Sequence, residues 1–243
     1  MSALPALREL LEQRFPDATP LTHRTAEPVA TGIAGLDKIL PGGGLPRSRL
    51  TVWLPKGGAT AILTAAAHKT VATGERAAWI DGLGCISGPY WKEGPLLVRP
   101  TSRKTALRGT EELLRCGGFA LVVLSGIEPD ATETVRLSRA AREGGGAFVA
   151  LTPHAAMASL RLTSSILPRG YDWEASPFGE PALVRRARVL VHAHSLGWSA
   201  KTELVLPVSQ HSLRNALDTG VVDRRGVLPS SAKKRASRQP ARR

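Results

Sequence analysis

The sequence has few of the residues on which several classes of protein depend. Only 5% of its 243 residues are aromatic and only two are cysteines. The core must therefore be built mainly from Ala, Leu, Val and Ile, as in layered α/β proteins. Cys85 and Cys116 do not form a C-x-x-C pair, so they exclude a disulfide framework and give no indication of a zinc or dithiol redox site.

Long apolar runs are also absent from the sequence. The longest strongly apolar stretch is FALVVL, residues 119–124, which is far too short to cross a bilayer. Glu9 and Glu12 interrupt the N-terminal segment where a signal peptide would be apolar. These features lead us to expect a soluble, cytoplasmic protein.

Acidic residues are missing from the C-terminal segment, which is strongly basic. The chain has a formal charge of +13, and residues 224–243 contribute eight bases and no acid, which leaves +5 for residues 1–223. Periodicity is lost from about Gly220, so we expect a disordered tail that binds DNA without sequence specificity. The bases expected to contact DNA are Arg224, Arg225, Lys233, Lys234, Arg235, Arg238, Arg242 and Arg243.

Short β-like runs alternate with helical stretches through the middle of the chain. The β-like runs are RLTVWL, RAAWID, PLLVRP, FALVVL and AFVALT, and the helical stretches cover residues 59–74, 105–117 and 130–145. Asp130 and Glu133 form a D-x-x-E capping box. RRARVLVHAHS and KTELVLP, separated by LGWSA, predict an antiparallel hairpin. The pattern predicts an α/β fold in which a mainly parallel sheet is flanked by helices and closed by antiparallel strands.

Three segments are predicted along the chain. Residues 1–28 form an amphipathic helix, over residues 4–15, and a connector; residues 29–219 form the core; residues 220–243 form the basic tail. A lone helix of this length is marginal in water. It must therefore dock either on its own domain or on a neighbouring molecule, and the sequence leaves both open.

The stretch LPKGGATA, residues 54–61, stands where a phosphate-binding loop would follow the first core strand. A P-loop, G-x-x-x-x-G-K-[ST], uses its lysine and its hydroxyl to hold phosphates and Mg²⁺. Here the four defining positions carry Leu54, Ala59, Thr60 and Ala61, and Lys56 lies four residues too early. We expect no bound nucleotide or other cofactor and no enzymatic activity. The residues of this degenerate P-loop are Leu54, Gly57, Gly58, Ala59, Thr60 and Ala61.

From TGIAGLDKILPGGGLPRSRLTVWLPKGG to AKTELVL, roughly residues 29–207, the chain resembles the RecA family of ATPases. That resemblance implies a RecA-like fold. The family's catalytic Glu falls on Leu83, its Walker B acid on Ser125 and its phosphate-sensing Gln on Pro153. The two long loops with which the family grips DNA are also missing here, so the resemblance implies the fold without the ATPase and without DNA binding through those loops.

With its basic tail and without the ATPase residues, the chain most closely resembles the ImuA family of RecA-like SOS mutagenesis proteins. This resemblance implies a non-catalytic accessory protein of the SOS response, acting in damage-induced mutagenesis and translesion synthesis. The implied partners are ImuB, the associated error-prone DnaE-type polymerase and RecA. Two alternatives remain: a SulA-like cell-division inhibitor, and a RecA-family ATPase with an aberrant P-loop.

Two smaller sets of residues are expected to lie on the surface. His192 and His194 share one face of a predicted strand but lack a third zinc ligand nearby. Arg136, Arg139 and Arg142 form a basic stripe on a predicted helix. The stripe is either a solvated helix face or a groove for DNA or an acidic partner segment.

Overall fold

The computed structural model describes residues 27–84, 86, 91, 94–153, 157–175, 178–179 and 181–208. These residues form one eight-stranded sheet with helices on both faces. The strands are β1 (Leu50–Trp53), β2 (Ala77–Asp81), β3 (Leu96–Val98), β4 (Leu121–Ser125), β5 (Ala147–Leu151), β6 (Leu160–Ala175), β7 (Pro181–Ser195) and β8 (Trp198–Pro207). The helices are α1 (Ala34–Asp37), α2 (Ala59–Ala72), α3 (Arg103–Arg115) and α4 (Ala131–Gly144).

The strand order in the sheet is β3-β2-β4-β5-β1-β6-β7-β8. Strands β1 to β5 pair in parallel, and β6 joins β1 in parallel. Strands β6, β7 and β8 then pair antiparallel. This arrangement confirms the predicted α/β class, with a mostly parallel sheet and antiparallel closing strands, and it is consistent with a RecA-like fold.

Two apolar layers hold the helices against the sheet. Leu36 of α1 and the buried face of α2, which includes Ile62 and Ala66, pack on one side of the sheet. On the other side, Leu107 of α3 and Leu137 of α4 pack over strands β1, β2, β4 and β5. Each of these parallel strands is therefore covered on both faces, which explains its continuous apolar sequence.

Local capping sets the starts of α3 and α4. The Asp130 side chain accepts from the Glu133 backbone N–H at 2.7 Å, and the Glu133 carboxylate accepts from the Asp130 N–H at 2.9 Å. This confirms the predicted capping box. Ser102 and Thr105 make the equivalent reciprocal pair at the start of α3, a second box that was not predicted from the sequence.

The segment that precedes β1 is held by a partly buried polar turn. The backbone N–H and the hydroxyl of Thr31 donate to the Asp37 carboxylate at 2.8 and 2.7 Å. Further on, Val29 and Leu45 form a two-way backbone bridge. A Cβ on Gly44 would lie 2.5 Å from the Val29 carbonyl oxygen, so only glycine permits this close approach. The TG-x-x-x-LD and GGLP patterns therefore have local structural roles.

Strands β6 and β7 extend well beyond the parallel sheet. They have 16 and 15 residues, and β1 pairs only with residues 160–162 of β6. The rest of the two strands forms a ribbon that continues past the carboxyl end of β1. The stretch ASLRL indicates only the start of β6, so the length of the strand was not predicted.

The hairpin after β7 is tighter than predicted. Its connection is Leu196–Gly197, and β8 already begins at Trp198, so most of LGWSA belongs to strand rather than turn. Gly197 has a φ of 72°, the left-handed conformation that a two-residue hairpin turn requires.

Several predictions lie outside the described residues. These are the N-terminal helix over residues 4–15, the disorder of the tail and the eight tail bases expected to contact DNA. None of the helices in the described part of the chain combines the length and the apolar character that a bilayer crossing needs.

Candidate functional site

The degenerate P-loop connects β1 to α2 at the carboxyl end of the parallel strands. The Leu54 N–H donates to the Leu162 carbonyl of β6 at 2.9 Å. Within the loop, the Lys56 N–H donates to the Leu54 carbonyl at 2.7 Å, and the Ala59 N–H donates to the Lys56 carbonyl at 3.3 Å. Two of the loop's N–H groups therefore bond to the loop itself instead of pointing at a ligand.

Gly57 and Gly58 allow the β6–β7 ribbon to pack directly against the loop. A Cβ on Gly57 would lie 2.9 Å from Cγ1 of Ile166, and a Cβ on Gly58 would lie 2.8 Å from Cγ1 of Val189. Gly58 also has a φ of 90°, which disfavours any residue with a Cβ. The two glycines thus have a packing role that requires no phosphate.

A buried polar contact further ties the loop to β6. The indole Nε1 of Trp53, a fully buried residue, donates to the Ser164 hydroxyl at 3.2 Å. The same hydroxyl lies 3.5 Å from the Lys56 carbonyl oxygen, a long and therefore weak contact. Ser164 and Ile166, both on β6, thus approach the loop from the same strand.

The three residues after Gly58 form the first turn of α2. Ala59 is buried, whereas Thr60 and Ala61 are exposed. Gly58, the N-cap, has no side chain to bond the first N–H groups of the helix. The helix start retains the weak attraction for anions common to all helix N-termini. Thr60, at the lysine position, adds no charge that would strengthen this attraction.

The position of the Walker B acid is occupied by a hydroxyl with other partners. Ser125, at the end of β4, accepts from the Trp79 Nε1 at 2.9 Å and donates to the Ile80 carbonyl at 3.2 Å. The hydroxyl proton is therefore committed to Ile80. Ser125 links β2 to β4 and carries no negative charge with which to hold a metal ion.

The other two positions taken from the resemblance carry apolar residues. Leu83, at the catalytic-Glu position, is exposed by 71% and lies against Gly126. Pro153 is half-buried just after β5. The connections that follow β4 and β5 span only residues 126–130 and 152–159, in agreement with the short loops expected from the sequence.

Asp81 is the carboxylate at the end of the parallel strand β2. It is 2% exposed, and its Oδ2 accepts from the Ile86 N–H at 2.7 Å. This bond holds the chain as it leaves β2. The arrangement gives Asp81 a structural role at the end of β2.

The site as a whole does not fit magnesium and a nucleoside triphosphate. The loop lacks the lysine and the metal-binding hydroxyl, Ser125 is engaged by Trp79 and Ile80, and Ile166 and Val189 pack against the loop glycines. Phosphoryl transfer depends on these groups acting together on one phosphate. We therefore derive no catalytic step from this site.

The basic stripe on α4 is largely neutralised by neighbouring acids. Arg136 pairs with Glu111 of α3 at 2.9 Å, and Arg139 pairs with Glu143 at 2.9 Å. Hydrogen bonds from Arg115 and Arg139 lower the pKa of the Glu143 carboxyl. Arg142 is exposed and makes no ion pair within the described residues. This pattern favours the solvated-face interpretation over a binding groove.

His192 and His194 lie on the same exposed face of β7, as predicted from their spacing. Within the described residues, no group of three or more His, Cys, Asp or Glu side chains is placed to hold a metal ion.

Ile166 and Val189 were not predicted to be neighbours of the loop. Alternating burial along VRRARVLVHAH could have indicated that Val189 faces inward. Its contact with Gly58, more than a hundred residues earlier, depends on how the ribbon lies against the loop, and no local signal specifies that.

Comparison with known proteins adds no identification. No family model matches the chain, and no curated protein matches it. The class of the protein is therefore defined by its fold alone: an α/β protein with a mostly parallel sheet, flanking helices and antiparallel closing strands.

Proposed function

We propose that the chain is a non-catalytic, RecA-like accessory protein of the SOS response that acts in damage-induced mutagenesis and translesion synthesis. It acts in the cytoplasm through contacts with ImuB, with the associated error-prone DnaE-type polymerase and with RecA. The basic tail adds non-specific affinity for DNA.

One observation carries the non-catalytic part of this proposal. The loop that would hold phosphates instead packs against β6 and β7, with Ile166 beside Gly57 and Val189 beside Gly58. A protein that retains this architecture without the groups for ATP has its surfaces available for binding. The choice of partners rests on the resemblance to the ImuA family.

Calorimetric titration of the full chain with Mg-ATP tests the loss of nucleotide binding. We expect no saturable heat at millimolar nucleotide, which corresponds to binding weaker than about −4 kcal/mol. A dissociation constant near one micromolar, about −8 kcal/mol, would instead support the ATPase with an aberrant loop.

Capture of purified ImuB by the immobilised full chain tests the proposed role. The matched control is a chain in which the eight tail bases are replaced by serine, which removes the tail's electrostatic attraction. We expect both chains to capture ImuB. Capture of FtsZ without ImuB would favour the SulA-like alternative. If the serine variant did not capture ImuB, capture by the full chain would be due to the charge of the tail alone.

A further inference from the structure

One face of the closing strands is not covered by any described helix. Helices α3 and α4 pack over β1, β2, β4 and β5, and none of β6, β7 and β8 contributes to that apolar layer. On the opposite face, β6 to β8 bury residues such as Leu162, Val191 and Leu204. The uncovered side of β6, β7 and β8 thus extends the sheet beyond α4, and we call it the uncovered face.

The strand register places basic side chains of the uncovered face in adjacent rows. In one row Arg161 of β6 lies opposite His194 of β7, and in the next row His192 lies opposite Lys201 of β8. All four residues are exposed. Residues two apart on a strand are about 7 Å apart and paired strands lie about 5 Å apart, so the four side chains form a compact cluster.

Further along β7 the uncovered face continues with Arg188 and Arg186. Arg188 approaches Glu203 at 3.5 Å, and Arg186 lies opposite Asp172. Asp172 therefore lies beside Arg186 at the far end of the face, and Glu203 lies between Arg188 and the cluster. Lys201, in the cluster, makes no hydrogen bond or ion pair with any described residue. The nearest acid on the same face of β8 is Glu203, which pairs with Arg188 rather than with Lys201.

We propose that the uncovered face binds single-stranded nucleic acid, with Lys201 and Arg161 contacting phosphates and His192 and His194 stacking on bases. The stretch from Arg186 to His194 is roughly 27 Å long, which suits an extended strand. Open sheet faces bind single-stranded nucleic acid by combining basic side chains with aromatic rings.

A protein partner fits this face less well. Next to the cluster its apolar side chains are few: Val205 is exposed, and Leu190 is half-buried. Cores of protein interfaces are depleted in lysine and in charge generally. The cluster has the opposite composition, and phosphate groups complement it directly.

This site is distinct from the tail, and its test must separate the two. Binding of a labelled oligothymidylate of about 20 nucleotides is followed by fluorescence anisotropy, using the full chain with its eight tail bases replaced by serine. Lys201→Glu is then introduced, and Arg142→Glu serves as the matched control. Both residues are exposed, and both changes alter the net charge by the same amount.

We expect the serine-tail chain to bind the oligonucleotide and Lys201→Glu to weaken that binding about tenfold. The slope of log K against log salt should become shallower by about 0.7 for each phosphate that the variant no longer neutralises. Arg142→Glu should leave affinity close to that of its parent. Equal weakening by both variants, or no binding by the serine-tail chain, would overturn the proposal.

Two further measurements address the type of ligand and the fold. His192→Ala should weaken oligothymidylate binding by roughly fivefold to a hundredfold because a base can no longer stack on the ring, and it should weaken duplex binding less. Equal effects on both ligands would refute a single-strand site. Thermal unfolding should show that each variant folds as its parent does. If Lys201→Glu lowered ImuB capture and left oligonucleotide binding intact, the face would be a protein interface and the proposal would be wrong, while the accessory function would stand.

Discussion

Replacing Gly58 by alanine tests directly whether the ribbon packs on the degenerate loop. Gly58 has a φ of 90°, and a Cβ there would lie 2.8 Å from Cγ1 and 3.1 Å from Cγ2 of Val189. The left-handed backbone costs an L-residue about 1–2 kcal/mol. Overpacking against a buried neighbour adds about 1–3 kcal/mol. We therefore expect Gly58→Ala to lower the free energy of unfolding by about 2–5 kcal/mol.

Gly43 provides the matched control for the backbone contribution. It has a φ of 88°, and a Cβ there would meet no atom within 4 Å. Gly43→Ala should therefore cost only the backbone strain, about 1–2 kcal/mol. The difference between the two variants isolates the contact between the loop and β7.

A double-mutant cycle with Val189→Ala assigns that contact to its partner. Val189→Ala removes both γ-carbons that crowd the added Cβ, so the penalty of Gly58→Ala should shrink by about 1–3 kcal/mol in that background. The measurement is urea unfolding followed by tryptophan fluorescence and circular dichroism, with thermal midpoints as a second readout. If Gly58→Ala cost no more than Gly43→Ala and showed no coupling to Val189→Ala, the packing argument would be refuted.

Two other substitutions give independent checks. Ser125→Asp, which restores the Walker B acid, should destabilise the fold by about 1–3 kcal/mol, because an ionised carboxylate cannot donate to the Ile80 carbonyl as the hydroxyl does, although it can still accept from Trp79. Glu133→Gln should reduce the loss of stability on acidification. The hydrogen bond from Arg103 lowers the pKa of Glu133, so its contribution is present above the unfolded-state pKa and disappears as the pH falls through the lowered folded-state value.

For each of these two substitutions, one outcome would contradict the reasoning. Unchanged stability of Ser125→Asp, together with gain of Mg²⁺-dependent nucleotide binding, would show that the site still accommodates a nucleotide. For Glu133, urea unfolding at pH 7 and near pH 3 gives the comparison, with Glu112→Gln as a control that removes the exposed pair with Arg108 on α3. If Glu133→Gln left the loss of stability at low pH unchanged, the ion pair between Arg103 and Glu133 would not be its source.

Local sequence patterns were sufficient for much of the parallel sheet. Strand β2 lies within RAAWID, α4 begins where Asp130 and Glu133 form their capping box, and β5 lies within AFVALT. Apolar runs, helical periodicity and capping depend on residues close together in the chain. The absence of the P-loop lysine and hydroxyl can likewise be read directly from residues 54–61.

The length of β6 and the pairing partners of Ser125 could not be predicted in this way. Residues 163–175 contain Pro168 and Gly170, which usually interrupt a strand, yet pairing with β7 carries the ribbon past them with irregular register. The sequence identified position 125 only as one that lacks the Walker B acid. The bond to Ser125 from Trp79, 46 residues earlier, became visible only when β2 and β4 lay side by side.

The sequence alone determined the class of fold and the absence of the groups that bind nucleotide, because both follow from residue types at short spacing. Only the tertiary structure showed what the loop glycines contact and which basic face of the closing strands the described helices leave uncovered. The physical reason is that these features arise from contacts between segments far apart in the chain. Ile166 meets Gly57 and Lys201 lies beside His192 only after the ribbon has paired and packed.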